Sequence, residues 1–352
     1  MNDDLQLNVP LLRRRVPNLT AVARAAGLRA ATVSNLCTGK IPVGRAEVRT
    51  LVALASLADC SLDELIIRGS GLKMIETGIK ALDLFAPVVR GGTVGFVARP
   101  NMGQFVLLAE FMHRMKKRGF ATIFWDPGVH SPGISDVVKQ AEYTFTTQDE
   151  LYKQIVALRD EHDVLLAADR TTVLSGELLA LRDRLKEVGA RPITIALVDA
   201  TCEAADAEAP YGPLDTLWRF DTDLISRQLY PAINPISSTS TILEGAHLEA
   251  VHLTTQQKAR KILRRYRELR SIVAAHGVEK MPEDDLRLYK RGERLEAYLA
   301  QPFFVAEAFT NLPGEWLPLY DTLEDVRRIL DGGADQVEPA ELSYKGRLEL
   351  SQ

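Results

Sequence analysis

Four short apolar runs, Thr93–Ala98, Ala121–Trp125, Val164–Ala168 and Ile193–Val198, recur with helical stretches between them. This alternation constrains the fold more than any other feature of the 352 residues. Runs this short and this apolar suit strands buried on both faces, while Val106–Lys117 and Glu177–Val188 carry helical patterns. Strands alternating with helices build a parallel sheet with helices on its faces. Such sheets take ligands at the carboxyl ends of their strands, which points to the loop after Ala98.

The chain before Leu72 has a different character. In residues 19–38, LTAVARAAGLRAATVSNLCT, apolar Leu19, Val22, Ala23 and Ala26 recur at helical spacing until Gly27 breaks the pattern. A second helical run starts near Arg29, with Val33 and Leu36 on its buried side. Helix, Gly-opened turn and helix make a helix-turn-helix. A further helix is predicted over Arg45 to Ala58, and Ser61 with Glu64 three residues on has the form of a capping box. Between Arg13 and Arg49 stand eight bases (Arg13, Arg14, Arg15, Arg24, Arg29, Lys40, Arg45, Arg49) against one acid, Glu47: a local +7 in a chain whose net charge is −4. That is an electrostatic footprint for a polyanion, with a solvated basic face as the alternative.

Thr38-Gly39-Lys40 after the second helix, and the closing LVALASLADCSLDELI, resemble the Cro/phage-repressor helix-turn-helix family over residues 13–68. The resemblance implies that the second helix enters the major groove of double-stranded DNA. Its candidate contacts are Arg29, Ala30, Ala31, Thr32, Asn35 and Lys40: Asn35 for an adenine edge, the alanines for thymine methyls, Arg29 and Lys40 for phosphates. Family members often carry Gln or Ser where this chain has Ala30 and Ala31, so direct base readout is thin.

From Leu72 onward, Ile75 to Pro87 followed by Arg90-Gly91-Gly92 resembles the segment leading into the phosphate loop of the rotary ATP synthase catalytic (beta) subunit. Asp163–Asp169 resembles its Walker B strand, Leu229–Pro235 with Ser238-Thr239-Ser240 its adenine-side loop, and Gln301–Thr310 its C-terminal aromatic motif, all in the family's order. The likeness implies an α/β P-loop (RecA-like) core. A working phosphate loop needs glycines, a Lys for the phosphates and a hydroxyl for Mg²⁺. Here Ala98 replaces the first Gly, Gln104 the Lys and Phe105 the hydroxyl residue, Pro100 removes a backbone donor, and only Gly103 survives. The stretch that would supply the water-activating Glu reads Asp126-Pro127-Gly128-Val129-His130. No ATPase activity is expected. Tyr230, Phe303 and Phe309 match the aromatic positions around the base, so they are either a residual pocket for weak nucleotide binding, with Arg99 near a phosphate, or core packing. Asp169 is expected to be structural, hydrogen-bonded or paired with Arg170.

Residues 254–330 read as helical. Ile262, Tyr266, Leu269 and Val273 form an apolar stripe beside Lys258, Arg260, Lys261, Arg264, Arg265, Arg267 and Arg270, with Glu268 the single acid. This +6 run is either a solvated face or a second surface for nucleic acid or an acidic partner. Glu283-Asp284-Asp285 resembles the family's short acidic loop. His247 and His252 lack completing ligands, so no metal and no cofactor are expected. Cys37, Cys60 and Cys202 offer neither a disulfide framework nor a zinc motif. No apolar run approaches the ~18 residues of a membrane helix, and MNDDLQLNVP is unlike a signal peptide, which suggests a cytoplasmic protein without a membrane partner.

The expected architecture is multidomain: an all-α helix-turn-helix head (1–69), a degenerate RecA-like nucleotide-binding domain (70–250) and a C-terminal helical domain (251–352), with Arg68-Gly69-Ser70-Gly71 as a flexible linker. The expected function is sequence-specific DNA binding, as a transcriptional regulator on a non-enzymatic body that forms a homo-oligomer and senses a ligand. The alternative is a scaffold or adaptor, or a non-specific DNA coater.

Overall fold

The alternating apolar runs pair as a seven-stranded sheet in the computed structural model, which describes residues 5–16, 18–38, 40–67, 73–128, 131–158, 161–244 and 247–348. The Arg68–Gly71 linker, Gly39, and Val129 with His130 lie outside these residues. The chain divides into two compact units, Met1–Lys73 with Thr241–Ala250, and Met74–Ser240 with Val251–Gln352.

The first unit is helical. Helices Leu19–Ala25 and Ala30–Cys37 flank a turn in which Gly27 adopts a left-handed φ of 78°, a conformation that costs Gly little. Ala23, Val33 and Leu36 are buried with Leu12, Leu54 and Leu65, so the apolar spacing of the turn's two helices faces one core. Ala26 is exposed and ends its helix. The helix expected from Arg45 begins later. Val43–Arg45 is a 3-10 turn that buries Val43, Ala46 and Glu47 are extended, and the α-helix runs Val48–Leu57 with Leu51, Leu54 and Ala55 inward. The Ser61–Glu64 capping box forms, with the Ser61 hydroxyl accepting from Glu64 N–H at 3.2 Å and the Glu64 carboxylate accepting from Ser61 N–H at 2.8 Å.

In the second unit we number the sheet strands β1 (Thr93–Val97), β2 (Ala121–Trp125), β3 (Tyr143–Phe145), β4 (Val164–Asp169), β5 (Thr194–Val198), β6 (Thr216–Arg219) and β7 (Thr239–Ser240). Their order is β7-β6-β1-β5-β4-β2-β3, and only the β7–β6 pair is antiparallel. Every residue of β1, β2, β4 and β5 is buried, as expected for a sheet covered on both faces. One face packs Phe96, Phe124 and Trp218 against Phe111 and Met112 of the Gln104–Lys117 helix; the other packs Ile123, Leu166 and Ile195 against Ile155 and Leu181.

The C-terminal region is less continuously helical than its pattern predicts. Helices Ala250–His276 and Glu283–Leu299 are followed by a largely irregular stretch from Ala300 to Pro318, then by helix Leu319–Asp331. Pro302, Pro313 and Pro318 disfavour a helix there, and Gly314 sits so close to Phe304 that a Cβ would come within 2.4 Å of its backbone N.

The short helix Lys80–Phe85 is buried throughout. Asp83 accepts from Thr77 N–H, the Thr77 hydroxyl and Gly78 N–H at 2.7–2.8 Å, and burial still lifts its carboxyl to about 7. The Lys80 ammonium donates to the carbonyls of Ala300 (3.0 Å) and Lys345 (2.8 Å) and lies 4.2 Å from the Tyr298 ring centre; burial pushes its pKa down to about 7. The unfolded chain keeps that proton until near 10.5, so unfolding takes up a proton between about pH 7 and 10.5 and stability rises with pH across that window. Asp83 is ionised in both states above about pH 8 and adds no slope there. Urea unfolding of the protein and of Lys80→Met at pH 7, 8, 9 and 10 checks this: the wild type gains stability relative to the variant as pH rises. A flat difference would contradict it.

Candidate functional site

On the Ala30–Cys37 helix, Ala31, Ser34 and the following Thr38 are exposed and Asn35 is half-buried, a stripe at i, i+3, i+4 and i+7 opposite buried Val33 and Leu36. Of the sequence-predicted residues, Ala31 and Asn35 fall on this stripe, Ala30 and Thr32 are half-buried beside it, and Arg29 and Lys40 are exposed at its two ends. Ser34 was missed, although its spacing from Ala31 marks it. Arg29 is the N-cap without a side-chain capping bond, and no acid stands in the first turn, which leaves the helix's positive end open to an anion. Arg13, Arg24, Arg29, Lys40 and Arg45 are exposed, and none forms an ion pair with a described residue. Arg15 instead donates to the carbonyls of Ala58 and Asp59, and exposed Arg49 pairs with Glu47 at 3.1 Å.

The carboxyl edge of the sheet is held by the chain's own hydrogen bonds. Gly103, at φ 82°, precedes the Gln104–Lys117 helix. The Gln104 amide donates to Asp199 O at 2.8 Å, and Phe105 is in the core. Asp169 ends β4 with one carboxylate oxygen accepting from Thr171 N–H (2.9 Å) and the other from Ala200 N–H (2.8 Å). Asp199 accepts from Thr201 N–H, the Thr201 hydroxyl and Ala204 N–H. Arg170 does not pair with Asp169. It donates to Pro210 O and lies 3.4 Å from Glu203 and 3.6 Å from Asp199, because the helix starting at Arg170 carries the side chain away from its own cap residue. Arg99 pairs with Asp206 at 2.8 Å. Asp126 accepts from Gly128 N–H, closing its own turn.

Beside this edge is a cavity of about 600 Å³. Tyr230 and Phe303 line it together with Asn101 and Met102 of the loop after β1. Phe309 is not among its lining residues; at 84% exposure it points to solvent, since the short helix Glu307–Thr310 is followed directly by left-handed Asn311 and buries no residue. Phe220 and Tyr344 also line the cavity and went unrecognised in the sequence. Tyr344 joins through long-range bonds, its hydroxyl donating to Gln228 O and accepting from Tyr230 N–H, and nothing local to it signals this.

The basic helix is sorted by its partners. Arg260 donates to Phe85 O and Ser238 O, Arg265 binds Asp285 and Glu268, Arg267 binds Asp221, and Arg270 binds Asp223. Hydrogen bonds from Arg270, with Arg227 alongside, hold the Asp223 carboxyl down to about 2. Only Lys258, Lys261 and Arg264 are exposed, so most of the +6 run is internal scaffolding. Asp284 pairs with Arg287. His252 is buried with its imidazole against Leu84 O, and His247 precedes the helix. No group of metal-ligating side chains gathers among the described residues, and no described helix is long and apolar enough to cross a membrane.

Two segments match known families. Residues 6–68 match the Cro/C1-type HTH DNA-binding domain, and residues 243–337 match the C-terminal domain of V and A type ATP synthase. Among solved structures, a unique ATP synthase subunit, NeqB from Nanoarcheaum equitans, is similar over 75% of this chain and 77% of that chain, with a TM-score of 0.57 and 17% identity. At that identity the likeness is one of fold. The chain thus joins a helix-turn-helix domain of Cro/C1 type to a body whose fold resembles that of an ATP synthase subunit.

Proposed function

We propose that this protein is a sequence-specific DNA-binding protein, a transcriptional regulator, whose body assembles the protein and senses a ligand instead of turning over ATP. The observation that carries the reading is the exposed Ala31–Ser34–Asn35–Thr38 stripe bounded by Arg29 and Lys40, with cations that the described chain leaves unpaired in a protein of net charge −4. Unpaired cations bind phosphates and release counterions, and a half-buried Asn on the groove-facing stripe can read adenine.

The body's chemistry supports a non-enzymatic role. A triphosphate with Mg²⁺ does not fit the loop after β1: its Lys position is Gln104 turned onto Asp199 O, its hydroxyl position is Phe105 in the core, and Arg99 is paired with Asp206. Both strand-end carboxylates already accept backbone N–H groups. In this reading the boundaries near 69 and 250 separate head, degenerate nucleotide-binding core and helical tail. Oligomerisation would multiply weak heads by effective concentration, which suits thin base readout.

Selection of bound duplexes from a randomised pool tests this, followed by a salt series on the winner and a scrambled control. An enriched motif with a steep salt slope is expected. Weak binding without enrichment would leave a non-specific coater, and absent binding a scaffold.

A further inference from the structure

The 600 Å³ cavity lies in the volume range of small-molecule sites, about 300–1,000 Å³, and it has an unusual lining. Charged residues make up 26% of the chain, yet no Lys, Arg, His, Asp or Glu lines it. Phe220, Tyr230, Phe303 and Tyr344 bring four aromatic rings to its walls. Most of its polar groups are already engaged. Gln301 accepts from Lys80 N–H and donates to Gly78 O and Glu315 O; the Thr310 hydroxyl donates to Ala306 O; the Tyr344 hydroxyl donates to Gln228 O. The side-chain amides of Asn101 and Gln228 remain. Both residues are exposed, at φ 65° and 55°, and neither amide bonds to a described residue.

An ion entering such a cavity gives up hydration and meets no opposite charge, whereas a flat uncharged ring gains apolar and aromatic contact without that cost. We propose that this cavity binds an uncharged, planar aromatic molecule whose polar edge is read by the Asn101 and Gln228 amides. This names the class of ligand that the body senses in the reading above. Its test needs no DNA, so either reading can fail alone.

The test titrates the full-length chain with N-phenyl-1-naphthylamine and with its charged counterpart 1-anilinonaphthalene-8-sulfonate, following fluorescence, in the protein and in Val106→Trp and Leu312→Trp. Both substitutions add bulk from a partly exposed lining position. The expected result is saturable 1:1 binding of the uncharged dye at least about tenfold tighter than the anion, reduced about tenfold in either filled variant at unchanged melting temperature. Adenosine displaces the dye at lower concentration than ATP, and Asn101→Ala weakens adenosine but not the dye. Equal binding of the two dyes, dye binding that survives both filled variants, tighter displacement by ATP, or no saturable binding would overturn the proposal. Should one filled variant unfold, the other decides.

Discussion

Glu110→Ala is expected to destabilise the body by about 3–5 kcal/mol, read as a lowered urea midpoint. Glu110 and Arg114 form an ion pair at 2.6 Å with both side chains fully buried. The Glu110 carboxylate also accepts from Phe304 N–H (3.2 Å) and Val305 N–H (3.0 Å), while Arg114 donates to the carbonyls of Thr77, Gly78 and Glu315. The pair therefore ties the Gln104–Lys117 helix to the Thr77–Gly78 turn and to the irregular stretch after Ala300. Removing the carboxylate strands a guanidinium out of water, where burial already pushes its pKa down, and leaves two buried N–H groups unmatched. The double variant Glu110→Met with Arg114→Met should recover much of the loss, because no unpaired charge remains. A loss below about 1 kcal/mol in Glu110→Ala would show that water reaches the pair.

Arg29→Glu with Lys40→Glu is expected to weaken binding to the selected duplex by about 100-fold near 0.1 M salt and to flatten the salt dependence. Both side chains are exposed and form no ion pair with a described residue, so melting should shift by no more than the ~0.5 kcal/mol of an ordinary surface change. Asn35→Ala should behave differently, costing about 1–3 kcal/mol on the preferred sequence and relaxing preference at one base pair while the salt slope holds. Anisotropy titrations across salt on preferred and scrambled duplexes distinguish the two. Undiminished affinity in the charge-reversed protein would move the DNA contact away from this helix.

The strands of the body were legible because each is an uninterrupted apolar run, and a run buried on both faces needs no partner information to be recognised. The head was legible for a similar reason: Gly27 and the spacing of Ala23, Val33 and Leu36 act within a few residues of one another, and the Ser61–Glu64 box is local by construction. The delayed start of the Val48–Leu57 helix was not, because Val43 is drawn into the core by a turn with no strong sequence mark. Nor was the fate of Phe309, whose aromatic character is the same in a pocket and in solvent.

The sequence by itself determined the alternation of strands and helices, the turn and buried side of the head, and the residue types at the phosphate-loop and strand-end positions. Those properties reside in periodicity and in side-chain chemistry. Only the tertiary structure decided which charges face water. Glu110 and Arg114 have the i, i+4 spacing of an ordinary surface pair and are buried; four arginines of a seemingly solvated basic helix are bonded inside the fold; Tyr344 reaches Tyr230 across 114 residues. A charge's cost depends on what packs opposite it, and that surface comes from distant segments that no local pattern encodes.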